Sequence, residues 1–298
     1  MKILISGCDG QVGWELRRSM SVLGEVFALN RQQMDLSAPG NAAVVIARIA
    51  PDVIVNAAAY TAVDKAESEE ALATQINAGA VGELAVAARE VNALLVHYST
   101  DYVFDGSKEG AYSEVDATAP LSAYGRSKLA GEHAIASAGG DWLTFRTTWV
   151  FGARGKNFLR TMLRLAASRE ELSVVGDQYG APTSARMIAD ATAQVVAQSM
   201  RERQSSEFES GLYNLTAAGS TTWHGFAEAI IDAVRERRPS DVVTRRIESI
   251  STSEYPTPAL RPLNSLLDNS KLVSRFGIYR PDWRVAMQCV LDDLFALQ

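Results

Sequence analysis

MKILISGCDGQVGWELRRSM, residues 1–20, decides the fold. Lys2–Ser6 is a short apolar run rich in branched residues and stopped at once by glycine. That is the pattern of a parallel strand buried on both faces. Gly7, Gly10 and Gly13 follow as G-x-x-G-x-x-G, and Trp14 to Met20 reads as a helix. Glycine permits the tight turn and lets backbone come close to a pyrophosphate, while the helix start offers unpaired N–H groups and a positive dipole end. The strand–loop–helix order, more than the glycines themselves, argues for dinucleotide binding.

The same alternation continues outward. Strands are expected at GEVFALN (24–30), VIVNAAA (53–59), ALLVHY (93–98) and WLTFRTTWV (142–150), with helices at Asn41–Ala50 and Gln75–Glu90 between them. This is an α/β chain with a Rossmann-type, doubly wound parallel sheet, whose ligands sit at the carboxyl ends of the strands. Gly10, Asn30, Ala59, Thr100 and the loop before Tyr124 all fall at such ends. Further on, helices are expected at 156–170, 188–200, 223–237 and 283–297, and strands at 172–175, 212–216 and 242–248. The Pro-rich stretch EYPTPALRPLNSLL, 254–267, reads as extended. The expected division is a dinucleotide-binding domain of residues 1–152 plus about 184–222. A smaller C-terminal α/β substrate domain takes about 153–183 plus 223–298.

With 298 residues, 47% hydrophobic and 21% charged, the chain can bury a large core. A net charge of −6 argues against a nucleic-acid partner or a polybasic membrane surface. No apolar run approaches the roughly 20 residues of a membrane span, and no signal-peptide pattern opens the chain. Cys8 and Cys289 lie far apart without metal-like spacing, which suggests a reducing, cytoplasmic setting. His97, His133 and His224 are scattered and read as structural.

Chemistry enters at LSAYGRSKLAGE, 121–132. Tyr124 and Lys128, four residues apart, share one face of a helix. A nearby ammonium favours phenolate, so Tyr124 is expected to titrate below its ordinary value of about 10 and to exchange a proton with substrate near neutral pH. At the end of the second strand stand Asn30 and Arg31, where an acidic residue would select NAD. The planar fork of Arg31 suits a 2′-phosphate instead, so NADPH is the preferred cofactor and NADH the alternative. Asn56 to Thr61 carries small residues that let a cofactor lie against backbone.

Together, the glycine motif at residue 7, STDYVFDG (99–106) and YGRSK (124–128) resemble the extended short-chain dehydrogenase/reductase superfamily. GQVGWEL (10–16), PDVIVNAAAYTAVDKAE (51–67), RTTWVFG (146–152), DQYGAPT (177–183) and RPLNSLLD (261–268) narrow the match. They resemble its reductases of dTDP-linked 4-keto-6-deoxy sugars. The resemblance implies reduction of the C4 ketone of dTDP-6-deoxy-L-lyxo-4-hexulose to dTDP-L-rhamnose. It implies a catalytic triad of Thr100, Tyr124 and Lys128, with Ser99 an alternative hydroxyl to Thr100. The cofactor would lie along Gly7, Gly10, Gln11, Val12, Gly13, Asn30, Arg31, Asp35, Leu36, Ala57, Ala58, Ala59, Tyr60, Thr61, Tyr124 and Lys128. Thr100, Asp101 and Trp149 would meet the sugar, and Arg261 the diphosphate.

Some such enzymes resemble dimers bridged by Mg²⁺, and Glu15 and Asp293 match two of the acidic positions. Arg186 stands where a third carboxylate is expected, and a guanidinium cannot ligate Mg²⁺. The expectation is therefore no metal, and a monomer or weak homodimer. Nucleotide-sugar epimerases and dehydratases resemble the same pattern. A dehydratase would need a Glu where Tyr102 stands. The regulatory subunit of methionine adenosyltransferase also resembles it, but acts by binding a partner rather than through an intact triad.

Overall fold

The computed structural model describes residues 1–296. In chain order the strands are β1 (Lys2–Ser6), β2 (Glu25–Leu29), β3 (Val53–Asn56), β4 (Leu94–Thr100), β5 (Trp142–Thr147), β6 (Val150–Phe151), β7 (Glu171–Val175), β8 (Tyr179–Gly180), β9 (Thr183–Ser184), β10 (Gly211–Asn214), β11 (Thr221–Thr222) and β12 (Arg246–Ile250). The α-helices are α1 (Gln11–Met20), α2 (Asn41–Ile49), α3 (Val63–Ala66), α4 (Glu70–Thr74), α5 (Ala80–Glu90), α6 (Ala123–Ala138), α7 (Phe158–Ala166), α8 (Ala185–Ser205), α9 (Trp223–Arg237), α10 (Ser270–Phe276) and α11 (Trp283–Ala296). The last expected helix position, Leu297, lies outside the described residues.

Six parallel strands form the central sheet in the order β10-β5-β4-β3-β1-β2. Alternation along the strands feeds two cores. Ile3, Ile5, Val53, Val55, Leu94 and Val96 face α1 and α8. Leu4, Ile54 and Leu95 face α2 and α5. Burial on both faces explains why these strands read as continuous apolar runs. The strand order reverses between β1 and β3, which opens a crevice beyond their carboxyl ends. Smaller parallel pairs, β7 with β12 and β6 with β9, lie outside the central sheet, and the first core runs on through α9 and α11. Among the described residues no helix is long and apolar enough to cross a membrane.

Several elements depart from the sequence reading: β3 ends at Asn56 rather than Ala59, α8 runs from Ala185 to Ser205, and three further departures follow. The strand expected over 142–150 stops at Thr147, because Trp149 takes φ +47° and turns the chain before β6 pairs with β9. The helix expected over 75–90 opens with a π turn at Gln75–Gly79. Gly131 of α6 packs there against the Asn77 carbonyl, where a Cβ would come within 2.1 Å. The strand expected over 242–248 forms later, at 246–250.

Candidate active site

A cleft of about 1000 Å³ runs from the Gly7–Val12 loop, along Ala57–Thr61, to Thr100 and Tyr124. Its first wall is set by glycine. Gly7 has φ +67°, and a Cβ there would meet Ala58 at 2.8 Å. A Cβ on Gly13 would sit 2.1 Å from the Gly7 carbonyl, so Gly13 serves helix–strand packing beneath the cleft rather than lining it. Helix α1 starts at Gly10 without a side-chain cap, leaving its first N–H groups directed at the crevice.

Arg31, Asp35 and Leu36 stand at the rim of that wall. Arg31 is 75% exposed and loosely paired with Asp35 at 3.6 Å. The Ser37 hydroxyl and N–H hold the Asp35 carboxyl below its ordinary range. Asn30 does not line the cleft. Its side chain accepts from the N–H groups of Gln32 and Gln33 and closes the turn after β2.

At the far end, Ser122 caps α6 by accepting from the Gly125 N–H. Gly125 lets the helix start press on the Tyr102 carbonyl, where a Cβ would meet oxygen at 2.2 Å. This seats the Tyr124 ring edge-on to Tyr102, centroids 5.6 Å apart. Thr100 Oγ1 donates to Asp101 Oδ1 (3.1 Å) and accepts from the Tyr102 N–H. Asp101 is 2% exposed. Burial pushes its carboxyl up to about 6, against the pull of the Ser265, Thr100 and Thr148 hydroxyls.

The structure also corrects the expectation for the proton donor. Tyr124 is not drawn toward neutrality by Lys128. Burial, then the Asp101 charge, push the phenol up to about 12, and only the Thr100 hydroxyl pulls it down. Lys128 lies beneath the cleft floor, 2% exposed. Its Nζ donates to the Tyr98 carbonyl (2.7 Å) and contacts His97 Nε2 (3.0 Å). Burial brings the ammonium down to about 8, opposed by the Glu132 charge.

Trp149 lines the cleft with its ring on Gly180 and stacked on Trp223, centroids 3.6 Å apart. Trp223 Nε1 donates to Gln178. The structure does not bring Arg261 to the cleft. Its guanidinium donates to both oxygens of Asp64, at 3.0 Å each, and to Thr257 and the Ala259 carbonyl. Arg261 thereby ties the Pro-rich segment to α3, and its fork is already engaged. Arg186 sits between the two carboxylates expected for a metal, 2.5 Å from Asp293 and 3.5 Å from Glu15. Among the described residues no group of three or more His, Cys, Asp or Glu is placed to hold a metal ion.

Sequence reasoning missed His97, Tyr102 and Trp223. The signal for His97 was its position two residues before Ser99 on β4, on the same side of the strand as the residues beneath the cleft.

The whole chain matches known proteins. Residues 1–295 fit the family model of the RmlD substrate binding domain. A Burkholderia thailandensis protein named dTDP-4-dehydrorhamnose reductase is 57% identical over 99% of this chain and 100% of its own length. A crystal structure described as a dTDP-4-dehydrorhamnose reductase from Clostridium acetobutylicum superposes with a TM-score of 0.88 at 35% identity, covering 99% of this chain and 100% of that one. Another such reductase, from Bacillus anthracis and in complex with NADP, gives a TM-score of 0.86 at 32% identity, covering 98% and 99%. The chain belongs to the RmlD family, that of the dTDP-4-dehydrorhamnose reductases.

Proposed function

We propose that this chain is an NAD(P)H-dependent oxidoreductase that reduces the C4 ketone of dTDP-6-deoxy-L-lyxo-4-hexulose to dTDP-L-rhamnose. The observation that carries the reading is the pairing of Tyr124 with Thr100 at one end of a cleft whose other end is lined by the Gly7–Val12 loop, a phosphate cradle. The glycine wall and uncapped α1 fit a dinucleotide pyrophosphate, and Ala57–Ala59 leave room for its adenosine half. A reduced nicotinamide supplies hydride when bound. The chain's own residues handle the oxygen. Tyr124 holds a proton throughout the neutral range and gives it to the carbonyl oxygen as negative charge develops there. Thr100 Oγ1 turns from Asp101 to donate to the same oxygen, a preorganised stabilisation. Trp149, braced by Trp223 and Gly180, forms the sugar wall. The dinucleotide lobe comprises residues 1–152 and about 184–222, and the remainder closes over the sugar.

The test is oxidation of NADPH or NADH by the purified protein with that keto sugar. Turnover supports the reading; no oxidation with either cofactor, by a protein shown to bind NADPH, sinks it. Arg31 at the rim suits a 2′-phosphate. Arg31→Ala should weaken NADPH by about tenfold, or about 1.4 kcal/mol, and leave NADH unchanged. Equal weakening of both would remove the argument for NADPH.

A further inference from the structure

Behind Lys128 lies a line of buried polar groups that do not touch the cleft: Ser6, Asn56 and His97. Asn56 Oδ1 accepts from Ser6 Oγ (2.5 Å) and from the Ala58 N–H (3.2 Å). Those donors fix the amide orientation, since turning it would set Nδ2 against the Ala58 N–H. Nδ2 therefore donates to His97 Nδ1, 3.0 Å away. A neutral imidazole that accepts at Nδ1 carries its proton on Nε2. That Nε2–H points at Lys128 Nζ, also 3.0 Å away. An ammonium has no lone pair with which to accept it; a neutral amine has one.

We propose that His97 is a positioning residue whose tautomer, imposed by Asn56, biases Lys128 toward the neutral amine and so sets the pH at which the site is charged. When Lys128 is an ammonium, His97 must carry its proton on Nδ1 to accept at Nε2. Two donors, Nδ1–H and Asn56 Nδ2–H, then face each other unless the amide turns and loses Ala58. When Lys128 gives one proton to solvent, the imidazole keeps its proton count and returns it to Nε2, and every group is paired. Ser6, Asn56 and His97 are each about 1% exposed, so water does not relieve the mismatch. Burial and the Lys128 charge hold the imidazole well below its ordinary range, so it does not become an imidazolium. The other charged or titratable groups around the pair are Glu132 and Tyr124 on α6, Arg146 of β5 bound to Glu132, Asp101 beyond β4 and Tyr98 on β4. None of them supplies Nε2 with a partner.

The consequence for turnover rests on the reductase reading; the tautomer does not. Long-range ¹H–¹⁵N correlation of the three histidine rings, between about pH 6 and 10, reads it directly. His97 should carry its proton on Nε2 at the alkaline end and shift it to Nδ1 as Lys128 protonates. In Lys128→Met the Nε2 form should persist at every pH. An Nδ1–H ring at the alkaline end, or an imidazolium, overturns the proposal. Asn56→Asp replaces the imposing donor with an acceptor and leaves the shape unchanged. The alkaline limb of NADPH-dependent kcat should rise by about one pH unit or more, a tenfold change in proton affinity, with KM for the sugar unmoved. A limb that stays in place, in a variant that melts like the wild type, also overturns it. If the wild type oxidises no NADPH, the reductase reading falls and the ring spectra still decide the tautomer.

Discussion

Helix α6 faces two buried cations, and they are treated in opposite ways. Arg146 reaches it from β5 and meets Glu132 through two parallel bonds, Nε to Oε1 at 2.9 Å and Nη2 to Oε2 at 2.7 Å, with its guanidinium over the Phe104 ring. Lys128, one turn earlier on the same helix, has no carboxylate against its nitrogen; it has an imidazole and a carbonyl. The first arrangement fixes a charge for good, because a planar fork and a carboxylate satisfy each other. The second leaves the charge negotiable: burial brings the Lys128 ammonium down to about 8, and only the Glu132 charge opposes it. One cation is locked in an ion pair, and the other, a buried amine, meets only neutral partners at its nitrogen.

The largest expected effect lies on the chemical side. Tyr124→Phe should lower kcat by about 10²–10⁴-fold, the usual range for losing a general acid, while NADPH binding is kept. Turnover within threefold of the wild type would show that another group gives the proton.

On the architectural side, Glu132→Gln leaves a buried guanidinium without its counter-charge. Removing one member of a buried pair costs about 3–5 kcal/mol, so the denaturant midpoint should fall steeply. Turnover per folded molecule should change far less than in Tyr124→Phe. The Glu132 charge also supports the Lys128 ammonium, so the alkaline limb should move down in pH. A variant as stable as the wild type would break the contrast between the two cations.

Asp101 tests the same contrast with the sign reversed, since it is a buried acid without a cation. Its carboxyl is raised in the fold, from 3.8 to about 6. The uncharged form is the one the fold favours, so the stability this group contributes is full below about pH 4 and lost as pH rises through about 6. Asp101→Asn should therefore stabilise the protein at pH 8, by up to about 3 kcal/mol given about 1.4 kcal/mol per pH unit, and hardly at all at pH 4. Urea unfolding at the two pH values checks this. An equal difference at both would mean that the carboxylate is not strained in the fold.

What the sequence disclosed follows the range of the interactions involved. The sheet was legible because strands buried on both faces must read as apolar runs, and the Gly7 turn because only glycine takes that φ beside Ala58. Tyr124 and Lys128 were legible as a pair at helical spacing. Their electrostatics were not, because proximity on a helix face says nothing of what arrives from other elements: Asp101 from beyond β4 to raise Tyr124, His97 from β4 to take the Lys128 nitrogen. Arg261 misled for the same reason. A free-looking arginine in a Pro-rich stretch is bound by Asp64, 197 residues away in sequence. Trp149 was placed at the cleft by motif, but its positive φ and its stack on Trp223 depend on Gly180 and α9, which no local pattern connects to it.

The smallest effect belongs to a third cation, at the surface. Arg186 is 37% exposed and joins Glu15 of α1 to Asp293 of α11. Exposed pairs of this kind are worth about 0–1 kcal/mol and weaken with salt, so Arg186→Ala should shift the melting midpoint by little, and less still at high ionic strength. Arg186→Glu is the sharper change. It would put three carboxylates together, a set of hard oxygen donors of the kind Mg²⁺ accepts, and their mutual repulsion should lower the melting temperature until Mg²⁺ is added. The wild type, whose guanidinium already neutralises the two acids, should melt at the same temperature in EDTA and in Mg²⁺. A wild-type melt that rises with Mg²⁺ would mean that the cation can displace Arg186. In that event the guanidinium, still charged, is moved aside by a competing cation, and the Glu15–Arg186–Asp293 bridge is a displaceable contact rather than a fixed one.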